Sequence, residues 1–110
     1  YMDCIFCQIV AKKIPAKIVW ESEEVLVFAD IEPVAPVHVL VIPKKHIQSL
    51  YHVQQEDAQL MGKIMTGFSA LADQLGIAKN GFRVQTNIGK DGGQVVPHLH
   101  FHLMGGRTLN

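Results

Sequence analysis

The sequence lacks an excess of charge of either sign and also lacks a long apolar run. Its ten basic and ten acidic residues cancel, so no basic stripe favours binding to a nucleic-acid polymer through its phosphates. No apolar segment approaches the ~20 residues that a membrane span needs. The N-terminus also lacks the charged-then-apolar layout of a signal peptide. We therefore expect a soluble, cytoplasmic protein with a small-molecule partner and no membrane partner.

Cysteine is scarce as well, because the chain contains only Cys4 and Cys7. In an intracellular protein such a pair is expected to supply thiols or metal ligands rather than a disulfide. The chain has no internal repeat, linker or low-complexity segment. Its length of 110 residues predicts a single domain over residues 1–110, and its 48% apolar content is enough for a core.

The apolar pattern predicts two helices. A short helix is expected over residues 3–12, with Asp3 as its N-cap and Pro15 as the residue that ends it. A long helix is expected over Glu56–Leu75, where apolar residues recur at three- and four-residue steps. Gly76 fits the C-terminal cap of this helix.

Five segments are typical of antiparallel strands, and the first two predict a hairpin joined through residues 21–24. The third strand is rich enough in Val, Leu and Ile to be buried on both faces. The predicted strands are residues 16–22, 23–31, 37–43, 80–87 and 98–104. The expected fold is therefore α+β, a five-stranded antiparallel sheet with one short and one long helix on one side of it.

Three histidines alternate with apolar residues in the run PHLHFHLM, residues 97–104. Because successive strand side chains point to opposite faces, His98, His100 and His102 are expected to share one face. The residues alone leave three interpretations open: a solvated strand face, a three-histidine metal site, or a site for nucleophilic and acid–base chemistry on a phosphate. The third interpretation fits the glycine-rich loop at residues 88–94, because its backbone amides could cradle phosphate oxygens.

The run HLHFHLM has the His-φ-His-φ-His-φ-φ form of the histidine triad family. Together with DGGQVVP and the earlier IPAKIVWESEEVLVFADIEPVAPVHVLVIPKKH, it makes the chain similar to the nucleoside phosphoramidase (Hint) branch of that family from Asp3 to Arg107. The resemblance implies a HIT-like fold whose sheet extends across a two-fold homodimer. It also implies hydrolysis of purine nucleoside 5′-phosphoramidates and related nucleoside monophosphate derivatives.

Two alternative functions remain open. A dinucleoside polyphosphate hydrolase would use the same chemistry with a nucleotide as the leaving group. A nucleotide-binding or interaction module with little turnover is the other alternative, and Val95 keeps it open. Eukaryotic members of the branch have a serine at that position that helps to pass a proton to the leaving amine, whereas valine has no proton to give. In this chain His98, a water molecule or the substrate would have to serve instead.

The resemblance also assigns roles to the histidines. His100 would be the nucleophile that forms a nucleotidyl-histidine, with a neighbouring backbone carbonyl accepting a hydrogen bond from its other ring nitrogen. His102 would stabilise the charge that develops on the phosphate oxygens. His38 matches a buried histidine behind the triad that would support His100, although a satisfied core histidine fits it nearly as well.

The nucleotide contacts are likewise implied by the resemblance. Asp30 matches an acidic residue that binds ribose hydroxyls, and Asn87 matches an asparagine that contacts phosphate; from the pattern alone both also suit turn positions. The amides around Gly93, Gln94 and Val95 would add fixed donors. The expected walls of the purine site are residues that the apolar pattern alone would assign to the core, namely Ile5, Phe6, Ile9, Phe28 and Ile31.

The C-x-x-C motif of Cys4 and Cys7 is by itself weak evidence for a metal. A tetrahedral zinc site needs two further ligands. In zinc-bearing members of the family these are the histidine after PKK and the first triad histidine, which are His46 and His98 here. The resemblance therefore implies one structural zinc per chain and no catalytic metal. Zinc on His98 would also fix the carbonyl of that residue beside His100.

Overall fold

Five antiparallel strands form one sheet in the computed structural model, which describes residues 3–110. In spatial order they are β1 (Ile18–Glu21), β2 (Val25–Ala29), β3 (Val37–Pro43), β5 (Phe101–Gly105) and β4 (Phe82–Gln85). The predicted hairpin of β1 and β2 is present, and every neighbouring pair is antiparallel. The predicted α+β fold with a five-stranded antiparallel sheet is therefore confirmed.

Two helices, α1 (Ile5–Val10) and α2 (Ala58–Gln74), lie on opposite faces of this sheet. Val27 packs in the same apolar cluster as α2. The next residue, Phe28, points to the other face of the sheet and packs in the cluster of α1. The expectation that both helices cover one side is therefore wrong. The reason is that β2 and β3 are apolar at consecutive positions, so both faces of the sheet need a cover.

The short helix α1 has different ends from those predicted. Cys4, and not Asp3, is its N-cap, because the Sγ of Cys4 accepts a hydrogen bond from the backbone N–H of Cys7 at 3.3 Å. The helix also ends well before Pro15. Lys12 follows its last turn with a φ of 62°, in the left-handed region, and this residue terminates the helix.

The long helix α2 begins two residues later than predicted, at Ala58, after a 3-10 turn over Gln55–Asp57. The carboxylate of Asp57 holds this junction, since it accepts a hydrogen bond from the Lys45 ammonium at 2.6 Å. At the other end Gly76 has the left-handed φ of 74° expected for a residue that follows a helix. No helix in the described part of the chain combines the length and the hydropathy needed to cross a membrane.

Strand β5 begins at Phe101, so it is shorter than predicted and His98 and His100 precede it. The backbone ahead of the strand is engaged elsewhere, since the Leu99 N–H donates to the carbonyl of Ile47 at 2.7 Å. The predicted alternation nevertheless holds. Leu99 and Phe101 pack in the cluster of α2, while the rings of His98 and His100 both contact Phe6 of α1. The histidine row therefore lies on the face that α1 covers.

Candidate active site and candidate metal centre

Four sulfur and nitrogen donors converge where α1 begins. Cys4, Cys7, His46 and His98 offer ligand atoms that all lie within 4.8 Å of one another. The Nδ1 of His98 is 3.3 Å from the Sγ of Cys4 and 3.6 Å from that of Cys7. The Nδ1 of His46 is 3.2 Å from the Sγ of Cys7. Ligands of one tetrahedral zinc ion are separated by roughly 3.5 Å, so the four predicted residues have a spacing that could hold a metal ion.

Hydrogen bonding and burial favour the neutral, metal-binding form of the two histidines but not the thiolate of Cys7. The Nε2–H of His98 donates to the carbonyl of Pro43 at 2.9 Å, so the lone pair of a neutral ring is on Nδ1, facing the cysteines. Burial lowers the pKa of His98 to about 4 and also lowers the pKa of His46, which favours neutral rings. Burial and the neighbouring Cys4 raise the pKa of the Cys7 thiol to about 11, so a bound metal must displace its proton.

His100 is buried beside this cluster, and its Nδ1–H donates to the carbonyl oxygen of His98 at 2.7 Å. A carbonyl can only accept, so the hydrogen of a neutral His100 ring is on Nδ1 and the lone pair is on Nε2. The ring of Phe6 meets the imidazole edge to face at 5.1 Å between centroids. The hydroxyl of Thr86 donates to the carbonyl of His100 at 2.8 Å. These contacts fix the orientation of the ring, and in a neutral imidazole they leave the lone pair on Nε2.

His102 contacts His38, and His38 in turn lies close to Asp30. The Nε2 of His38 is 2.9 Å from the Nδ1 of His102 and 3.4 Å from the Oδ2 of Asp30. The backbone N–H of Val34 donates to the Nδ1 of His38 at 3.2 Å. Burial, with a smaller effect of the neighbouring histidines, lowers the pKa of His102. Among the hydrogen bonds of residues 3–110, His38 is thus joined to His102, whereas the resemblance implied that it supports His100.

The glycine-rich loop folds back on itself. The N–H of Gly93 donates to the carbonyl of Lys90 at 3.1 Å, and the N–H of Gln94 donates to that of Gly89 at 3.0 Å. Two of the three predicted amide donors are therefore used within the loop. Over residues 3–110 the N–H of Val95 has no acceptor, and the residue is 89% exposed. The amide of Val95 is accordingly the member of this set that is available to a ligand.

The side chain of Asn87, which the resemblance assigned to phosphate binding, and the side chain of Gln94 also brace this loop. The side-chain amide of Asn87 donates to the carbonyl of Gly92 at 2.7 Å, and that of Gln94 donates to the carbonyl of Gln48 at 2.7 Å. A Cβ on Gly92 would lie 2.3 Å from the carbonyl oxygen of Ile88, so this turn requires glycine. A phosphate contact by Asn87 or Gln94 stays a prediction.

The predicted purine walls divide into a buried and an exposed group. Phe6, Ile9 and Phe28 lie in the buried cluster under α1, where the two phenylalanine rings meet at 5.5 Å between centroids. Ile5 is 49% exposed and Ile31 is 95% exposed. These two are therefore not core residues, although the apolar pattern alone had assigned them to the core. Their exposure leaves apolar surface that the base of a ligand could cover.

Three contacts in the site were not predicted from the sequence. They are the Val34 amide, the Pro43 carbonyl and the Thr86 hydroxyl, each of which fixes one histidine of the site. Two of them are backbone groups, which every residue carries, so no side-chain pattern could have identified them. Thr86 is a polar residue at the end of a predicted strand, but its partner depends on how β4 is aligned with the segment before β5.

Comparisons with known proteins agree with this architecture. The family model described as HIT domain matches residues 11–109. Protein HitA of Neisseria gonorrhoeae is 48% identical over 103 residues, which cover 94% of this chain and 95% of that protein. The purine nucleoside phosphoramidase of Escherichia coli strain K12 is 41% identical over 107 residues, which cover 97% of this chain and 90% of that protein.

Solved structures of proteins described as HIT family or histidine triad proteins have the same fold as this chain. A HIT family hydrolase from Clostridium thermocellum has a TM-score of 0.95 at 42% identity. A histidine triad protein from Clostridium difficile has a TM-score of 0.95 at 44% identity. In both cases the alignment covers 100% of this chain and 96% of the other.

Proposed function

This chain belongs to the HIT domain family, and on that premise we propose that it hydrolyses purine nucleoside 5′-phosphoramidates and related nucleoside monophosphate derivatives. The observation that carries the proposal is the hydrogen bond from the Nδ1 of His100 to the carbonyl of His98. In a neutral imidazole it leaves the lone pair on Nε2, which is therefore the attacking atom. The relative named purine nucleoside phosphoramidase supports the substrate class.

The proposed reaction has two steps through a covalent intermediate. In the first step the Nε2 of His100 forms a bond to the α-phosphorus, the P–N bond of the substrate breaks, and the amine leaves with a proton. In the second step a water oxygen bonds to phosphorus and the water gives one proton to solvent, the bond to Nε2 breaks, and the nucleoside monophosphate is released with His100 again neutral. His102 and the free amide of Val95 would stabilise the charge on the phosphate oxygens during both steps.

The proton for the leaving amine has few sources in this chain. The Nε2–H of the buried His98 is held by the carbonyl of Pro43, and its Nδ1 faces the cysteines, so His98 is a poor proton donor. Val95 has no ionisable group. We therefore assign the proton to a water molecule or to the substrate itself.

The nucleoside would bind between α1 and the loop that follows β2. Asp30 is partly exposed, and its carboxylate suits the two hydroxyl donors of a ribose. One of its oxygens already accepts the N–H of Glu32 at 2.8 Å, which fixes the carboxylate plane. The exposed side chains of Ile5 and Ile31 and the buried Phe28 would supply the apolar contact for the base.

The metal centre belongs to the proposal as a structural element. Cys4, Cys7, His46 and His98 would hold one zinc ion in a closed tetrahedral shell, which would supply a cross-link and no catalytic chemistry. This cross-link joins α1 to the segments that follow β3 and precede β5. It would keep the carbonyl of His98 in place for His100.

A two-fold homodimer completes the proposal. Strand β4 is at the edge of the sheet, where its outer backbone groups can pair with a second strand. Phe82 and Val84 on this strand and Met65 on α2 are exposed apolar side chains. A second copy that paired with β4 would extend the sheet and cover them.

Turnover of a substrate panel tests the proposal. Adenosine 5′-phosphoramidates should be hydrolysed with a higher kcat/KM than diadenosine polyphosphates. The reverse order would favour the dinucleoside polyphosphate hydrolase. Nucleotide binding without turnover of either class would contradict a hydrolase and favour the binding module.

A further inference from the structure

The imidazole of His38 has one hydrogen to donate and two acceptors near it. The backbone N–H of Val34 donates to its Nδ1 at 3.2 Å, so this nitrogen is an acceptor and the hydrogen of the neutral ring is on Nε2. That Nε2 lies 2.9 Å from the Nδ1 of His102 and 3.4 Å from the Oδ2 of Asp30. The nearer acceptor is therefore His102, and the carboxylate of Asp30 is at the outer limit of a hydrogen bond.

The direction of this bond fixes the tautomer of His102. If the Nδ1 of His102 were the donor, His38 would accept at both of its nitrogens and carry no hydrogen, which a neutral ring cannot do. The hydrogen of neutral His102 must then be on Nε2. We propose that His38 is a positioning residue that holds His102 as the Nε2–H donor, and that Asp30 draws on the same hydrogen and so links the ribose subsite to the phosphate subsite.

The same three side chains could be taken for a second metal site, because their donor atoms lie within 4.8 Å of one another. The contact from Val34 argues against that assignment. A histidine that binds a metal through Nε2 carries its hydrogen on Nδ1 and donates it to a neighbour. Here the neighbour of the Nδ1 of His38 is itself an N–H donor, so two hydrogens would meet across 3.2 Å. The three side chains are therefore arranged for a directed chain of hydrogen bonds and not for binding a metal ion.

The link to the ribose rests on the proposed function, whereas the tautomer of His102 does not. A carboxylate of Asp30 that accepts two ribose hydroxyls has less negative charge to attract the hydrogen of His38. That hydrogen then bonds more strongly to His102, and a chain of hydrogen bonds strengthens each of its members, so the Nε2–H of His102 becomes a better donor. A ribonucleoside would thereby improve the phosphate contact, and this benefit belongs to kcat because it grows as charge develops on the oxygens.

The tautomer is tested directly by nitrogen NMR of ¹⁵N-histidine-labelled protein, whether or not any substrate is turned over. Wild-type His102 should show the Nε2–H pattern of correlations. His38→Gln should keep it, since the amide of glutamine can donate to the same Nδ1, while His38→Leu should give a mixture of tautomers. His52→Leu, which removes an exposed histidine elsewhere, is the control. A wild-type His102 with its hydrogen on Nδ1 would overturn the proposal, even if His38→Leu does not fold.

The link is tested by comparing a ribonucleoside phosphoramidate with its 2′,3′-dideoxy counterpart. In the wild type the dideoxy substrate should have a lower kcat by roughly 3- to 10-fold, the size of one hydrogen bond, beyond any rise in KM. In His38→Leu the two substrates should have equal kcat, and His38→Gln should restore the difference. An unchanged kcat ratio in His38→Leu would overturn the link. Absence of turnover by the wild type would contradict the proposed function and leave the NMR result as the test of the tautomer.

Discussion

The carbonyl oxygen of His98 lies 2.7 Å from the Nδ1 of His100, and the imidazole of the same His98 faces Cys4 and Cys7. One residue therefore belongs both to the candidate metal centre and to the support of the proposed nucleophile. Its ring is also held at Nε2 by the carbonyl of Pro43. We expect damage to the metal centre to reach His100 through this backbone and to lower kcat more than it raises KM.

The metal centre predicts about one zinc ion per chain in protein purified without a chelator. Cys4→Ser should lower the zinc content and the thermal stability together. Loss of a metal present at a hundred times its Kd removes about 2.7 kcal/mol, or roughly 10 °C of Tm for a chain of this size. Zinc should also be released as pH falls, because its ligands must be deprotonated. Elemental analysis and calorimetry measure these effects.

His52→Asn is the matched control for zinc, because it alters a histidine outside the four-residue cluster. Its zinc content and Tm should equal those of the wild type. A zinc content below roughly a tenth of an equivalent, with no change of Tm on chelation, would contradict a structural zinc site.

The exposed edge of the sheet predicts a dimer in solution. Light scattering at micromolar concentration should give a mass near twice 12.2 kDa. Val84→Lys should shift the mass towards that of the monomer, because a charge would be placed on the edge strand that is expected to pair with its copy. Trp20→Lys is the control, since Trp20 is similarly exposed on the opposite edge strand and should leave the mass unchanged. A monomeric wild type would remove this prediction and leave the catalytic ones intact.

The junction before α2 predicts a pH-dependent contribution to stability. The Lys45 ammonium holds the pKa of Asp57 below its usual value of 3.8. A carboxyl group with a lower pKa in the folded state stabilises that state above the unfolded pKa, and the effect is lost as pH falls through the folded pKa. Asp57→Asn should therefore lower Tm at pH 7, and the difference should shrink below pH 3.8. Glu56→Gln, which alters an exposed neighbour of the same lysine, should have little effect. An equal loss of Tm at pH 7 and below pH 3.8 would contradict a stabilising ion pair between Asp57 and Lys45.

The presence of the five strands and the alternation of the histidine row could be predicted from the sequence, because both depend on a local period of two. The local period gives no information on which face of the sheet a helix covers. The apolar run of β3 already predicted burial on both faces, but which face α2 leaves for α1 to cover becomes apparent only when the strands are paired. The prediction that β5 begins at His98 was wrong for a related reason. The alternation extends to His98, but the backbone at Leu99 bonds to Ile47 outside the sheet.

The side-chain composition of the site was more predictable than its hydrogen bonds. The four metal-centre residues come together as the resemblance implied, because each is fixed by its place in a motif. His38 contacts His102, whereas the resemblance implied that it supports His100. A contact across β3 and β5 depends on the register of these two strands. His38 is opposite Met104 and His102 is opposite Leu40, so the two imidazoles meet on the diagonal. A single-sequence pattern does not contain that register.

His102→Ala should lower kcat with little change in KM. The imidazole is expected to stabilise charge that develops on the phosphate oxygens, and loss of one such donor costs on the order of 10²–10³-fold in kcat. Steady-state kinetics with an adenosine phosphoramidate measure the effect. A variant that raised KM and left kcat intact would instead assign His102 to substrate binding.

His100→Ala should abolish turnover while it leaves zinc content and nucleotide binding close to those of the wild type. The variant removes the bond-forming nitrogen, whereas the carbonyl of His98 and the four metal-centre side chains remain. His98→Ala provides the contrast, since it should reduce zinc content and stability together. The intermediate itself can be trapped by rapid denaturation at alkaline pH, because phosphorus–nitrogen bonds hydrolyse in acid.

Fragmentation of the trapped peptide by mass spectrometry then decides which of the three histidines carries the nucleotide. We expect an adduct of nucleoside monophosphate mass on His100 alone. His98 has one ring nitrogen committed to the carbonyl of Pro43 and the other facing the cysteines, and His102 has its Nδ1 committed to His38. Full activity of His100→Ala would overturn covalent catalysis by this residue. An adduct on His102 would instead show that its Nε2 holds a lone pair, which would contradict both the proposed nucleophile and the proposed tautomer.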